Sequence, residues 1–424
     1  MDMGFLDRIT VILCKVVSVV STTFGLGAGE TWPGEIALKL RPHIAHELSK
    51  SLENGVILVA GTNGKTTTSL MIKEMLEAEG KIVVHNATGA NLLNGVVSSF
   101  IRHADWLGRV GADVGIVEID ENSLPIVLAD ITPVTVVILN LFRDQLDRYG
   151  ETDVILEKWT RALSKLPHRT TLVLDSDDPG IAWLGRQLKG KLLFFGINDP
   201  EAFLKKKEHA TDTIFCPRCG TRLRYKGVYY SHLGIWFCPG CGLIRPEPTV
   251  TDWKTTLPGF YNRYNTLAAV AAAKSIGVPE HVIQNALSSF RPAFGRQEEI
   301  HNDGRTIKLF LAKNPAGFNA TLRTVTEQQA KDILLVLNDR IPDGRDVSWI
   351  WDVDFEMLPK QTHIMVSGDR VYDLALRLKY ADFHFDLEPR LADAVGKLPD
   401  HSYVLATYSG MLEVRKLLTG KKIL

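Results

Sequence analysis

Two groups of residues in this chain have the types and spacing that could do chemistry. The first is Gly61-Thr62-Asn63-Gly64-Lys65-Thr66-Thr67-Thr68. Glycines let a backbone approach a ligand closely, and N–H groups at the start of a following helix point at an anion. In such a turn Lys65 would pair with the outer phosphates of a nucleotide, and the Thr66 hydroxyl would ligate magnesium. The spacing departs from G-x-x-x-x-G-K-[ST], because Val59 stands where the first glycine would fall. The plain alternative is a strand-turn-helix link with an incidental lysine. It does not require strand, glycines, Lys-Thr and helix to follow in this order. The second group is Cys216-Pro-Arg-Cys219-Gly and Cys238-Pro-Gly-Cys241-Gly, with 18 residues between the pairs. Two such knuckles suit one tetrahedral zinc held by four thiolates, a closed structural site with no open position for catalysis. Disulfides or redox pairs would be poor in a reducing compartment. The fifth cysteine, Cys14, lies in an apolar segment and reads as a small buried hydrophobe.

The elements that must position these groups follow from the apolar pattern. Residues 56–60, 81–85, 114–119, 134–139, 171–174 and 191–195 read as buried strands, and 65–79, 151–165 and 264–276 as helices. The alternation predicts a mostly parallel sheet covered on both faces, with ligands at the carboxyl ends of its strands. It breaks from about 205 to 250, where the cysteine-bearing, Tyr-rich ribbon reads as an insertion. A second α/β series follows Arg291-Pro292, with strands expected at 307–312, 332–337, 363–366 and 403–406 and helices at 317–328, 370–379 and 411–418. The run Val117-Glu118-Ile119-Asp120-Glu121 ends a strand in carboxylates, and beside a phosphate loop Glu118 is placed to bind magnesium.

At 424 residues the chain has room for about three domains of ordinary size. It carries 49 Lys+Arg and 49 Asp+Glu, a formal net charge of zero, which argues against broad nucleic-acid binding. The apolar stretch from Ile9 to Phe24 is interrupted by Lys15 and is rich in Ser and Thr. A spanning helix needs about 20 apolar residues. The stretch therefore reads as a core-packing helix, with membrane-surface contact as the second reading, and the chain is expected to be cytosolic.

The variant GTNGKT(T/S) is the form found in Mur ligases and folylpolyglutamate synthases, which this chain resembles. Glu118 sits in a run like the Mur-ligase E-x-D-E motif, so the resemblance implies the same magnesium role. Asn140 and Arg143-Asp144-Gln145-Leu146-Asp147-Arg148-Tyr149-Gly150 resemble the family's T-N…D-H-L-D…G segment, with Gln145 in place of a metal-binding histidine. Asp175-Ser176-Asp177-Asp178-Pro179 resembles its N-x-D-D-P turn. Leu257-Pro258-Gly259-Phe260-Tyr261-Asn262-Arg263-Tyr264-Asn265 resembles L-x-G-x-H-N-x-x-N, with Tyr261 for the histidine. Asn262 and Asn265 would then meet the nucleotide, since amide side chains both donate and accept. Phe294-Gly295-Arg296-Gln297-Glu298 resembles a G-R-x-E hinge in which Arg296 would stabilise charge on the transferring phosphoryl group.

Three further runs point to the MurT branch of this family: Thr88 to Gly95, Lys313-Asn314-Pro315-Ala316-Gly317-Phe318-Asn319 in place of D-Y-A-H-N-P with Phe310 at the aspartate position, and Asp346-Val347-Ser348-Trp349-Ile350-Trp351-Asp352. The implied fold is α/β: a Mur-ligase-like central parallel-sheet ATPase domain with an inserted four-cysteine zinc ribbon, plus a C-terminal Rossmann-like α/β domain. The implied division is an N-terminal helical segment over 1–45, the ATP-binding domain over 46–290 and the C-terminal domain over 291–424. The implied reaction is ATP-dependent amidation of the α-carboxylate of D-glutamate in the lipid II stem peptide, through an acyl phosphate, with ATP, Mg2+ and Zn2+. Lys65, Thr66, Glu118 and Arg296 suit that chemistry, with Gly61, Thr62, Asn63, Gly64 and Thr67 completing the cradle.

Glutamine-derived ammonia is usually released by a cysteine nucleophile with a histidine base. Four cysteines are committed to zinc and Cys14 has no motif around it, so a separate subunit must do this. The resemblance implies a GatD-like glutamine amidotransferase partner, whose catalytic histidine is oriented by an aspartate of the C-terminal domain. Asp346 is expected in that role, with Asp352 second. The alternative is an acidic loop with Trp349 and Trp351 packed in the core. An ordinary Mur-type or folate-type amino-acid ligase is the competing enzyme reading. A zinc-ribbon binding module with a nucleotide switch ranks third, since Arg218, Arg222, Arg224 and Lys226 make a modest basic patch.

Overall fold

A computed structural model describes residues 3–23, 31–86, 90–144, 151–291 and 296–420. The first sheet contains β1 (Val56–Ala60), β2 (Val83–His85), β3 (Val114–Ile119), β4 (Thr135–Ile138), β5 (Thr171–Asp175) and β6 (Lys191–Phe195) in the order β2-β3-β1-β4-β5-β6. All neighbouring pairs are parallel. Every residue of β1, β3 and β4 is buried, because helices cover both faces and leave no polar side to the strands. One face packs α1 (Phe5–Thr23), α2 (Trp32–Leu40), α3 (Ile44–Ser49), α5 (Leu93–His103) and α6 (Leu124–Asp130). The opposite face packs α4 (Lys65–Ala78) and the helix Tyr261–Ser275, whose Ala-rich run lets two helices lie close over the strands.

The N-terminal helix forms and packs on the core as expected, but along one side only. Thr10, Val11 and Cys14 are buried, whereas Phe5, Leu6 and Val19 on the other side are 60% exposed or more. The helix carries two apolar stripes, and the sheet can cover only one.

The ribbon forms an antiparallel hairpin of β7 (Arg224–Tyr230) and β8 (Leu233–Phe237). A second sheet follows, made of β9 (Arg296–Asn302), β10 (Arg305–Leu311), β11 (Asp332–Val336), β12 (His363–Ser367), β13 (Asp386–Leu387) and β14 (Ser402–Ala406). Its order is β13-β12-β11-β14-β10-β9, parallel except for the β9–β10 hairpin. In the first sheet, the chain leaves β1 towards one edge and β4 towards the other. The crevice above their carboxyl ends is the topological switch point where such sheets hold ligands.

Candidate functional site

The turn after β1 and the segment after β4 are laced together at that switch point. Thr62 N–H donates to Asn140 O (3.0 Å) and Asn63 N–H to Asn140 Oδ1 (2.9 Å), while Asn140 Nδ2 donates back to Asn63 O (3.0 Å). Phe142 N–H donates to Thr62 Oγ1 (3.0 Å). Gly64 caps α4 at φ +92°, and a Cβ there would lie 2.0 Å from Asn265 Oδ1. Only glycine accepts both the left-handed conformation and that approach. Asn265 Nδ2 in turn donates to Asn262 Oδ1 (2.9 Å), and Asn262 Nδ2 to Pro258 O (2.7 Å). The two asparagines expected to meet a nucleotide therefore stand against the glycine-rich turn, one helical turn apart on Tyr261–Ser275.

Lys65 is buried, with its ammonium donating to Gly61 O (2.5 Å) and Thr62 O (3.2 Å) and lying 3.4 Å from Glu121 Oε2. Glu121 is the carboxylate that faces this lysine, and sequence reasoning does not single it out. Trp159 Nε1 donates to Glu121 O (2.8 Å) and fixes the residue just beyond β3. Glu118 is also buried, at the end of β3, where Asn86 clamps its backbone: Glu118 N–H donates to Asn86 Oδ1 (2.8 Å) and Asn86 Nδ2 to Glu118 O (2.8 Å). Thr66 and Thr67 occupy the first turn of α4.

The second sheet closes over the turn. Leu311 ends β10, and the chain runs through Lys313 and Asn314 into the helix Pro315–Glu327. Asn314 caps that helix, accepting from Gly317 N–H (2.8 Å), and exchanges amide hydrogen bonds with Asn63 at 3.1 and 3.3 Å. Lys313 forms an ion pair with Asp144. Burial alone would raise the Glu121 carboxyl, but Lys65 and Lys313 hold it below its usual value. At Asp144 burial prevails over Lys313, and the carboxyl is raised. Glu121 Oε1 and Asp144 Oδ1 are buried without a hydrogen-bond partner. Two orphaned carboxylate oxygens between two lysines fit a hard divalent cation brought in with a polyphosphate. The motifs read in the sequence contain Lys313, Asn314, Asp144 and Glu121 but give none of them a role at this site. A signal is present, because Lys313-Asn314 stands where the second domain begins its first helix.

The cleft between the two sheets encloses about 750 Å³ of space, its open mouth included, with Asn63, Gly64, Asn262, Asn265, Tyr261 and Phe310 among its lining residues. Phe310 is 2% exposed and stacks on Tyr403 (6.3 Å between centroids). Tyr230 and Leu233, on either side of the ribbon's hairpin turn, supply another wall. Tyr230 packs edge-on against Phe142 (5.2 Å). The turn residue His232 is fully buried, 3.3 Å from Asp178 Oδ2. Asp178 also accepts from Leu141, Gly180 and Ile181 N–H, so the Asp-Asp-Pro turn joins β4, the following helix and the ribbon.

The four cysteine Sγ atoms lie within 4.8 Å of one another, the only such metal-ligand group among the described residues. Cys216–Cys241 and Cys219–Cys238 Sγ separations are 3.7 and 3.5 Å. A tetrahedron of sulfurs around zinc has edges of roughly 3.8 Å, so the cluster fits that ion. Gly220 and Gly242 N–H donate back to Cys216 O (2.9 Å) and Cys238 O (3.1 Å), closing both knuckles. Burial pushes the Cys14 thiol up to about 11, which removes it as a nucleophile.

Asp346 is exposed and accepts from Ser348 N–H (2.8 Å) in a turn on the surface of the second domain. Asp352 is instead tied to Arg143 Nη2 (3.1 Å). Trp351 is 47% exposed and Trp349 half-buried, so neither is a fully packed core side chain. The Arg296 backbone begins β9 opposite Phe310, while its side chain lies outside the described residues. Thr88, Gly89, Phe294, Gly295 and the stretch from Gln145 to Gly150 also lie outside them.

Comparison with known proteins gives two family matches: a MurT ligase C-terminal model over residues 311–411 and a Mur ligase middle-domain model over residues 59–273. The subunit MurT of the glutamine-hydrolysing lipid II isoglutaminyl synthase of Streptococcus pneumoniae is 32% identical over 431 residues, covering 94% of each chain. The same subunit from Staphylococcus aureus strain COL is 33% identical over 392 residues, covering 87% of each. Among solved structures, a pseudomurein peptide ligase type C from Methanothermus fervidus superposes with a TM-score of 0.66 at 22% identity, covering 86% of this chain and 78% of that one. MurF ligase from Thermotoga maritima, in complex with ADP, gives 0.62 at 16% identity, covering 90% and 82%. At those identities the structural likeness establishes the fold.

Proposed function

Because the chain belongs to the MurT family of Mur ligases, we propose that this ligase is the synthetase half of a lipid II amidating enzyme. Its reaction would convert the α-carboxylate of D-glutamate in the stem peptide to the amide of D-isoglutamine. The observation that carries this reading is the closure of Lys313-Asn314 from the second domain onto the phosphate-type turn at Asn63 and Asp144. Two lysines and two buried carboxylates meet there, and the lysines would face the phosphates of a bound nucleotide.

ATP would lie in the cleft, its phosphates along Gly61–Thr66 and its base beside Asn262 and Asn265. Lys65 would draw charge from the terminal phosphate, and Arg296 would meet the phosphoryl group in transfer. Thr66 and Glu118, with Glu121 beside them, would hold magnesium, which screens phosphate charge when bound. A carboxylate is a poor electrophile. Its oxygen would attack the terminal phosphate, releasing ADP and leaving an acyl phosphate. Ammonia would then add to the carbonyl and expel phosphate. The chain's contribution would be positioning and charge neutralisation. Incubating the chain with ATP, ammonium and lipid II tests this: the expected product is the primary amide with stoichiometric ADP and phosphate. Turnover that requires an amino acid instead would favour the Mur-type or folate-type ligase. Against that alternative, buried Phe310 offers no carboxylate to receive an amino acid's ammonium group.

Lys313 is assigned to this chemistry as the cation brought by the second domain. Lys313→Met is expected to slow turnover at saturating nucleotide by about a hundredfold, as when one positioned charge is withdrawn. Binding of a fluorescent ADP analogue should stay within about threefold, since the first domain keeps its own cradle. An equal loss of both would make Lys313 a nucleotide-affinity residue instead.

The ammonia would come from a GatD-like glutaminase subunit, with Asp346 orienting that partner's histidine. Asp352 is less suited, because Arg143 already holds it. Asp346→Asn should reduce glutamine hydrolysis by the complex about 10⁴-fold, the scale for a triad aspartate, while ammonium-driven amidation persists. Unchanged hydrolysis would eliminate Asp346. The site of action would be the inner face of the cell membrane. Among the described residues no helix is long and apolar enough to cross a membrane.

A further inference from the structure

The N-terminal helix α1 has one apolar stripe that no described residue covers. Phe5, Leu6, Ile9, Leu13, Val16 and Val19 are each 45 to 77% exposed. Their spacing of three and four puts them on one side of a helix about 28 Å long. The opposite side is anchored: Val11 and Cys14 are fully buried in the core, and Asp7 is turned inward onto Arg41 Nε (2.6 Å). The exposed stripe therefore contains no carboxylate.

The surroundings of the stripe extend the same character. The loop after α5 lies against α1. Lys15 donates to Ala104 O and stands 5.4 Å from the Trp106 ring centroid, and a Cβ on Gly108 would touch Met3 and Arg8. At that loop's tip Trp106 is 62% and Leu107 51% exposed. The loop's acid, Asp105, is folded back, accepting from Leu107 N–H (2.8 Å) and Arg109 N–H (2.9 Å). Arg8 and Lys15 flank the stripe, and Arg102 and Arg109 lie beside the loop.

We propose that this face, α1 with the Trp106 loop, docks the enzyme on an anionic lipid bilayer. A helix lying in the interface plane buries an apolar stripe among acyl chains and sets its flanking cations against lipid phosphates. Tryptophan favours the headgroup level of a membrane. A second copy of the chain is a poor occupant. Two-fold pairing would set Lys15 and Arg102 of one copy beside the same cations of the other. The helix α5 gives the placement a purpose. It starts beside Asn91, whose carbonyl accepts from Asp120 N–H (3.1 Å) at the catalytic end of β3, and it ends under the Trp106 loop. One helix about 16 Å long thus connects the cleft's edge to the docking face. This purpose rests on the proposed lipid-linked acceptor, whereas the docking itself does not.

The test is co-sedimentation of the full complex with vesicles of phosphatidylglycerol and phosphatidylcholine, and with phosphatidylcholine alone. Wild type is expected to bind the anionic vesicles, more weakly as salt rises. The double variant Ile9→Glu, Leu13→Glu should lose at least about tenfold in affinity, as buried apolar side chains become charged. Phe5→Ser with Leu6→Ser serves as a second, milder variant should the first fail to fold. Failure of wild type to bind, or equal binding by a folded variant, would overturn the proposal. So would a concentration-dependent doubling of mass in light scattering that the same substitutions abolish, which would assign the face to a second copy. Binding is scored without turnover, so it stands or falls independently of the amidation reading. ATP turnover on a soluble glutamate-containing acceptor should be unchanged in the variants, with loss confined to acceptor embedded in vesicles.

Discussion

Lys65→Met is expected to lower ATP-dependent turnover by about a thousandfold or more, the range seen when a cation meeting transition-state phosphoryl charge is removed. The argument rests on location. Lys65 is 7% exposed, and among the described residues it is the lysine of the turn itself. Its present contacts are two backbone carbonyls and Glu121 Oε2, all of them on the turn or beside it, so the ammonium is already held where a triphosphate would lie. The substitution also removes the closest cation from Glu121, whose other oxygen already lacks a partner. Stranding a buried carboxylate in this way costs about 3–5 kcal/mol, so the single variant should also melt earlier. Lys65→Met with Glu121→Gln restores the charge balance. Calorimetry should find this pair as stable as wild type, and turnover should remain abolished. Activity within tenfold of wild type in either variant would remove Lys65 from the chemistry.

Stripping the metal from the four-cysteine cluster should have the second large effect. The ribbon's own core is small, with Leu223, Trp236 and Leu243 buried around Cys216 and Cys238. A domain that size rarely holds itself together without a staple, and structural zinc supplies about 10–16 kcal/mol in isolated finger peptides. The hairpin's far end carries Tyr229, Tyr230 and Leu233 into the main core under the phosphate-type turn. Melting the knuckles would therefore withdraw a wall of the cleft as well as a surface ornament. Cys238→Ser, or treatment with a strong chelator, should release a single zinc per chain and weaken nucleotide binding by more than about tenfold. Elemental analysis and titration with an ADP analogue would read the two effects together. Metal-free chain with full nucleotide affinity would show that the ribbon only decorates the fold.

The parts most legible in the amino-acid sequence are those buried on both sides. Strand β1 spans Val56–Ala60 and β3 spans Val114–Ile119, the same residues as the apolar runs, because a parallel strand between two helical layers has no reason to alternate. Strand β9, Arg296–Asn302, is not legible in this way. Its Arg-Gln-Glu-Glu-Ile-His-Asn run suits an edge strand paired on one side only, where β-propensity carries little signal. The helices α2 and α5 are equally hard to read, the first because it is short and the second because its opening residues stand out as a motif rather than as a periodic run. At the site, the turn is visible locally, whereas Asn262 and Asn265 stand out only through the family motif, since by themselves they read as the start of a helix. Glu121 is not visible locally, because a carboxylate past the end of a strand is aimed by the loop and by Trp159 rather than by strand period. Lys313 and Asn314 depend on a domain some 250 residues away from Asn63 closing onto it, and no local pattern encodes that approach. The exposed stripe of α1 is a related case. Apolar content alone cannot tell which of two stripes a sheet will claim.

The paired amides of Asn63 and Asn314 have a consequence for the catalytic cycle. One is part of the turn expected to grip the nucleotide, and the other caps the helix that begins the opposite domain. The clasp that shuts the chamber and the fingers that hold its contents are thus joined at a single knot. A nucleotide gripped by that turn would leave only as the knot is untied, and the pace of the cycle would then belong as much to the parting of the two halves as to bond making.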